Sequence, residues 1–234
     1  MLEGKDEVSI DEARKNAAKF MGIAADRLTL CGESDGRIHG YSFAAEADGR
    51  HWYCDAASAG GIVTDWSMIR EVGTEELSVE EAIARAEKYL RDHGMLNMKS
   101  TYWVDEDGVV LINFAAVQND VILYPDLIKV GIARDTGEVI RYEATGYVMC
   151  HRERELPDNL MDSKTIAEQL DDELIIESTK LVLIPTQGEH ERLCYEFLCR
   201  DPENTGLLIY CDAQTGEAVE ILILVENDNG TLTV

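Results

Sequence analysis

Positive charge is scarce in this 234-residue chain: 21 Lys and Arg stand against 46 Asp and Glu, a formal net charge of -25. That balance repels phosphate backbones and anionic lipid, so nucleic-acid binding and a membrane-surface role are disfavoured. Long apolar runs are lacking too. The longest, at 181–185 and 221–225, fall far short of the roughly 18 residues a membrane span requires, and residues 1–9 are acidic rather than signal-like. The chain reads as soluble, with no direct membrane insertion of its own. Cysteine is sparse for this length. Cys31, Cys54, Cys150, Cys194, Cys199 and Cys211 form no CxxC pair of the kind that structural zinc or a thioredoxin-like redox site uses. On a strand over 192–200 the period of two sends Cys194 and Cys199 to opposite faces, so they cannot bridge each other, and free, mostly buried thiols are expected.

Motifs for metal or covalent chemistry are equally thin. His39, His51, His93, His151 and His190 show no HxxxH or HExxH spacing. The acidic turns ending at Gly108 and Gly230 have Trp103 and Val225 where a DxDxDG calcium loop needs its first ligand. Ser42 sits in Gly40-Tyr41-Ser42-Phe43-Ala44, which approaches a nucleophile elbow, but it falls inside an alternating strand rather than on a strand-to-helix turn. Cys150 and His151 are neighbours, yet adjacent residues of an extended chain point to opposite faces. No catalytic residue, metal or cofactor is expected.

What the sequence does contain is a repeat. Ser9-Ile10-Asp11-Glu12-Ala13 recurs as Ser78-Val79-Glu80-Glu81-Ala82 and, more faintly, as Ser163-Lys164-Thr165-Ile166-Ala167. The first two are capping boxes, with apolar residues following at helical spacing; the third lacks the capping glutamate and opens a short helix. After each helix come short runs of period two separated by turns, an antiparallel meander rather than crossover units. In the middle copy these runs cover 98–104, 109–117, 127–133 and 139–147. The last hairpin of that copy turns on Asp135-Thr136-Gly137-Glu138 and that of the third on Thr215-Gly216-Glu217. The fold class that follows is α+β: three tandem modules over 1–73, 74–151 and 152–234, each one helix packed on a three- or four-stranded antiparallel sheet. Modules of this size bury modest cores and are expected to pack on one another.

A helix followed by a meander whose last hairpin carries a Thr-Gly-Glu turn resembles the PepSY domain. The tail of the middle copy, from Asp135 to Tyr147, the run Leu193-Cys194-Tyr195-Glu196-Phe197 and the terminal Asn229-Gly230-Thr231-Leu232-Thr233 closely resemble the C-terminal region of the YpeB family of spore germination proteins. That resemblance covers nearly the whole chain. It implies an extracytoplasmic place at the spore inner membrane or cortex, anchored through an N-terminal segment not included here. It also implies a non-enzymatic role, stabilising and restraining a cortex-lytic hydrolase of the SleB type through protein contact. A module binding calcium or cell-wall fragments is the alternative. One basic segment stands out from the acidic background: His151, Arg152 and Arg154 are the candidate contact for an acidic partner or a neighbouring module.

Overall fold

The computed structural model describes residues 1–186, 190–227 and 230–233; Asn229 of the terminal run named above lies outside them. Helices α1 (Ile10–Met21) and α2 (Val79–Asp92) begin where the capping serines place them. Ser78 accepts from Glu81 N–H while the Glu81 carboxylate accepts from Ser78 N–H, a complete capping box. Gly22 ends α1 in the left-handed region. The third start differs from the sequence reading by one residue. Asp162, not Ser163, accepts from Lys164 N–H, and the helix it opens, α4 (Ser163–Ala167), stops after five residues. Leu170 and Leu174 still pack beneath it, from the turns that follow. A further short helix, α3 (Thr145–Cys150), occupies the end of the segment read as a strand over 139–147, which closes at Glu143 instead.

Three separate small sheets do not form. The strands make one thirteen-stranded sheet: β1 (Thr29–Asp35), β2 (His39–Ala47), β3 (Arg50–Ala57), β4 (Val63–Ile69), β5 (Met98–Glu106), β6 (Val109–Gln118), β7 (Val121–Ala133), β8 (Val139–Glu143), β9 (Ile175–Thr186), β10 (His190–Arg200), β11 (Gly206–Asp212), β12 (Ala218–Asn227) and β13 (Gly230–Thr233). Their order is β1-β2-β3-β4-β8-β7-β6-β5-β13-β12-β11-β10-β9. The meanders expected from the sequence are there, fused edge to edge because an unpaired edge leaves backbone groups unsatisfied. β4 pairs antiparallel with β8, and β13 bridges to β5. The start of β7 then pairs parallel with β9, Ile122 beside Val182 and Leu123 beside Leu183. The ring β7-β6-β5-β13-β12-β11-β10-β9 therefore closes on itself, with Ile122, Val182, Cys194, Leu208 and Leu224 inside it.

The same local geometry occurs three times. The N–H of the residue before each helix cap, Val8, Leu77 and Met161, donates to the carbonyl of Ser58, Arg134 and Ala213, at 2.9, 3.0 and 2.9 Å. Three residues beyond those carbonyls stand Gly61, Gly137 and Gly216, with φ of 61, 72 and 77°. Each turn lies against its own helix, and the positive φ favours glycine at all three, with close approach to Asn16 and Val8 a second reason at Gly61. Seven residues before each of these glycines a buried side chain, Cys54, Val130 or Ile209, pairs across the last hairpin with Trp66, Tyr142 or Ile221.

Trp66 and Tyr142 are themselves register partners across the β4–β8 seam. Tyr89 of α2 accepts from Trp66 Nε1 at 2.9 Å, and Phe20 of α1 packs on Tyr142 with ring centroids 5.0 Å apart. The main core therefore lies between these two helices and the joined sheet. All six cysteines are free, four of them buried, and burial pushes the Cys54 and Cys194 thiols up to about 12. Cys194 lies within the strand ring and Cys199 beneath α4, on opposite faces.

Two outcomes follow. Gly230 has a φ of 128°, and a Cβ there would meet the Trp103 carbonyl. Gly230→Ala is expected to destabilise the fold by roughly 1–3 kcal/mol in urea titration and to expose the amides of β5 and β13 to hydrogen exchange. On the opposite sheet face of the β4–β8 seam, Asp65 stands between Asp55 and Glu143. Burial first, then the Glu143 and Asp55 charges, raise its pKa to about 6. Folding thus favours its protonated form, so stability is lost as the pH rises from the ordinary aspartate range through about 6. Asp65→Asn should raise Tm at pH 8, with the gain shrinking as the pH falls towards 4.

Candidate functional site at the junction of the second and third repeats

β7 is irregular in the middle. Its pairing with β6 shifts between Ala115 and Ala116, so Tyr124, Pro125 and Asp126 bulge out of the ladder. A proline has no N–H to give a neighbouring strand, and a bulge re-aims the side chains around it. Here the two flanking residues hold the third repeat, on two separate networks.

Asp126 is fully buried. Its carboxylate accepts from both terminal nitrogens of Arg154, at 2.9 and 2.7 Å, and from His151 Nδ1 at 2.7 Å. The same guanidinium turns its other edge to Glu191 of β10, at 2.9 Å from Nε and 2.7 Å from Nη2. The carbonyls of Arg152 and Cys150 accept the remaining contacts. Gln118 fixes the backbone of Arg154 on both sides, accepting from its N–H and donating to its carbonyl. The arginine therefore satisfies every donor it has in a nearly dry site, which is what makes a buried charge tolerable. Hydrogen bonding to Arg154 holds the Glu191 carboxyl below its ordinary pKa.

Inside the strand ring Glu196, 1% exposed, accepts from Tyr124 at 2.6 Å, Tyr210 at 3.0 Å and Lys180 at 3.2 Å. Burial, reinforced by the Glu196 charge, raises the pKa of both tyrosines, keeping them neutral donors. Sequence reasoning missed this network. Its only sequence signal is the Tyr-Pro-Asp triplet interrupting an apolar run.

The three basic residues singled out in the sequence therefore part company. His151 stacks on Tyr147, rings 4.3 Å apart, and bonds Asp126; Arg154 is buried in the junction; Arg152 stays on the surface, 61% exposed, reaching Glu191 at 3.0 Å. Arg152 and Arg192 line an open cleft of about 540 Å³ together with Leu156, Pro157 and Gln214. Cys150 contributes only its backbone carbonyl here, while Ser42 lies far off on β2, donating to Asp55 at 2.5 Å. Among the described residues no group of three or more His, Cys, Asp or Glu could hold a metal ion.

The junction between the first and second repeats uses the same device. Arg70, 9% exposed, forks onto Asp135 at 2.7 and 2.8 Å and reaches Glu138 at 3.3 Å, gripping the Asp-Thr-Gly-Glu turn.

A repeat protein of helices on a continuous antiparallel sheet, its repeats clamped by arginine forks, is the class that this geometry defines. The chain belongs to the family described as YpeB sporulation, PepSY1 and PepSY2 domains, which matches residues 1–157. It is similar to the sporulation protein YpeB of Halalkalibacterium halodurans, 27% identical over 93% of this chain, and to those of Oceanobacillus iheyensis (26%, 92%) and Bacillus subtilis (28%, 72%). It spans about half the length of the first two, 49% of each, and 38% of the third. Among solved structures it resembles the Bacillus megaterium YpeB C-terminal domain, with a TM-score of 0.82 at 24% identity, covering 94% of this chain and 99% of that one. Among the described residues no helix is long and apolar enough to cross a membrane.

Removing one partner of the Asp126–Arg154 pair leaves the other charge buried. Asp126→Ala or Arg154→Ala should each cost about 3–5 kcal/mol in urea unfolding, and Asp126→Leu with Arg154→Met far less than the sum. Because the Glu191 pKa is depressed in the fold, its contribution is present above the ordinary glutamate range and is lost as the pH falls through the folded value. Glu191→Gln should flatten that acid-side slope.

Proposed function

We propose that this chain is a non-catalytic restraining and stabilising unit of a spore germination protein, which acts on a cortex-lytic hydrolase of the SleB type by direct contact. The observation that carries the reading is family membership over residues 1–157 together with the chemistry of the junction, where the polar groups that a catalyst would need are spent on one another. We read the chain as three PepSY-type modules, with boundaries near residues 73 and 151, displayed extracytoplasmically at the spore inner membrane or cortex and anchored through a segment outside this sequence.

The contact site in this reading is the cleft at the second junction. Arg152 and Arg192 are 61% and 48% exposed in a chain of net charge -25, and they line an open cleft of about 540 Å³. An acidic segment of the hydrolase would displace the loose surface pairs of Arg152 and Arg192 without disturbing the buried Arg154. Binding to the folded hydrolase alone stabilises it by mass action, and covering its cleft silences it.

The test is protection of the purified hydrolase from trypsin and inhibition of its cortex lysis by this chain. Wild-type chain should lengthen the half-life of the hydrolase, and Arg152→Glu with Arg192→Glu should weaken the effect at least tenfold while leaving the chain's own Tm within a few degrees. A hydrolase that neither binds the chain nor gains protection rejects the proposal for this chain.

A further inference from the structure

In the first two repeats the last strand is paired and covered. Asp65, Trp66 and Ser67 of β4 lie opposite Glu143, Tyr142 and Arg141 of β8, with Tyr89 of α2 bonded to Trp66 and Phe20 of α1 packed on Tyr142. The corresponding stretch of the third repeat is Glu220-Ile221-Leu222. It is fixed by the shared register: Cys54 opposite Trp66, Val130 opposite Tyr142, Ile209 opposite Ile221.

On its far side β12 pairs with β13 only over Leu224–Asn227, so among the described residues no strand meets the edge from Ala218 to Ile223. The face is bare as well. Trp66 and Tyr142 are 4% and 1% exposed, whereas Ile221 is 59% exposed, continuing with Ile223 and Val225 at 46% and 41%. The five-residue α4 covers Phe197 and Ile209 but stops short of this stripe. Apolar side chains such as Ile221 and Ile223 beside an unpaired edge are what sheet proteins ordinarily avoid or fill.

Charge says what would fill it. The 34 residues from Asp201 to the end carry seven carboxylates and no Lys or Arg. Asp171, Asp172 and Glu173 lie exposed in the loop leaving α4, and Glu217, Glu220 and Glu226 along β12. Arg200, the nearest cation on β10, is already paired with Glu177 and Glu226. A second copy would bring the same negative charge to the same edge.

We propose that the Ala218–Ile223 edge of β12 is a strand-addition site for a basic extended segment of a partner protein. That segment places a bulky apolar residue opposite Ile221, as Tyr142 stands opposite Trp66, and a Lys or Arg opposite Glu220. Main-chain hydrogen bonds supply the pairing, the Ile221–Ile223 stripe the apolar contact, and the acidic rim the attraction. The site lies on the outer face of the third repeat and does not depend on the cleft of Arg152 and Arg192.

The probe is an acetylated, amidated peptide, Arg-Val-Lys-Tyr-Lys-Val-Arg, titrated into the whole chain with NMR detection. A second peptide has proline in place of tyrosine: the same charge, but no central N–H. The first peptide should shift the amides of residues 218–223 and the Ile221 and Ile223 methyls, and bind at least tenfold more tightly than the proline peptide. Ile221→Lys, at an exposed position that leaves the fold intact, should remove the difference. Equal binding of both peptides, shifts centred elsewhere, or no binding at millimolar peptide overturns the proposal. Sedimentation showing a dimer that Ile221→Lys dissociates overturns it in favour of a second copy.

Discussion

Both repeat junctions rest on one arrangement: an arginine whose planar fork is shared between two carboxylates. Arg70 holds Asp135 and Glu138; Arg154 holds Asp126 and Glu191. In a chain with 25 more acids than bases, carboxylates left to themselves would push neighbouring repeats apart. Each fork turns that repulsion into attachment at one point, and a guanidinium suits the task because its donors match two carboxylates in one plane without losing charge on burial. Without the forks the strand seams would be short ladders. The β4–β8 seam pairs three residues on each strand, and among the described residues β13 meets β5 at a single bridge.

The two junctions nonetheless differ in kind. Between the first and second repeats the apolar contribution is large: Trp66, Tyr89, Phe20 and Tyr142 meet across the seam, and the arginine fork sits at its rim. Between the second and third the apolar contact is made in the ring interior and by Leu183, Leu193 and Ala213 against the main core, and polar anchors reach across from one bulge in β7. A bulge costs ladder hydrogen bonds, and this one is stabilised because Tyr124 and Asp126 both find buried partners. Polar anchors of this sort need well-defined geometry, so they fix the third repeat in one orientation where apolar packing alone would tolerate several.

Much of the local structure was legible because it is written in local physics. Ser9 and Ser78 with a glutamate three residues on mark helix starts, and the period-two runs mark the strands of each meander. Errors fell where two local signals compete. Asp162 and Ser163 are both good caps and the structure uses the first; Thr145 onwards continues a β-rich run yet turns helical beside Pro125 and Leu127, whose carbonyls lie against Gly146. Pro125 made β7 look as though it began at Leu127, hiding the bulge that organises the junction. The pairing of Trp66 with Tyr142, the closing of eight strands into a ring and the burial of Arg154 involve partners tens of residues apart, and no periodicity encodes them. His151-Arg152-Glu153-Arg154 looks like a solvated basic run because nothing in its sequence names Asp126 and Glu191 as partners.

The repeat also explains why the third copy departs from the first two. In the first two repeats Trp66 and Tyr142 of the two last strands meet Tyr89 of α2 and Phe20 of α1 in one aromatic cluster, so this pair of repeats seals its seam with its two long helices. The third repeat is built differently. Its helix shrinks to five residues, its inner face is sealed by joining the second repeat's sheet into a ring, and its outer edge stays acidic. Negative charge along an uncovered edge is a standard defence against unwanted strand pairing between like copies. That same charge does not deter a basic strand, so an edge guarded in this way discriminates between partners by sign of charge before any side chain is fitted.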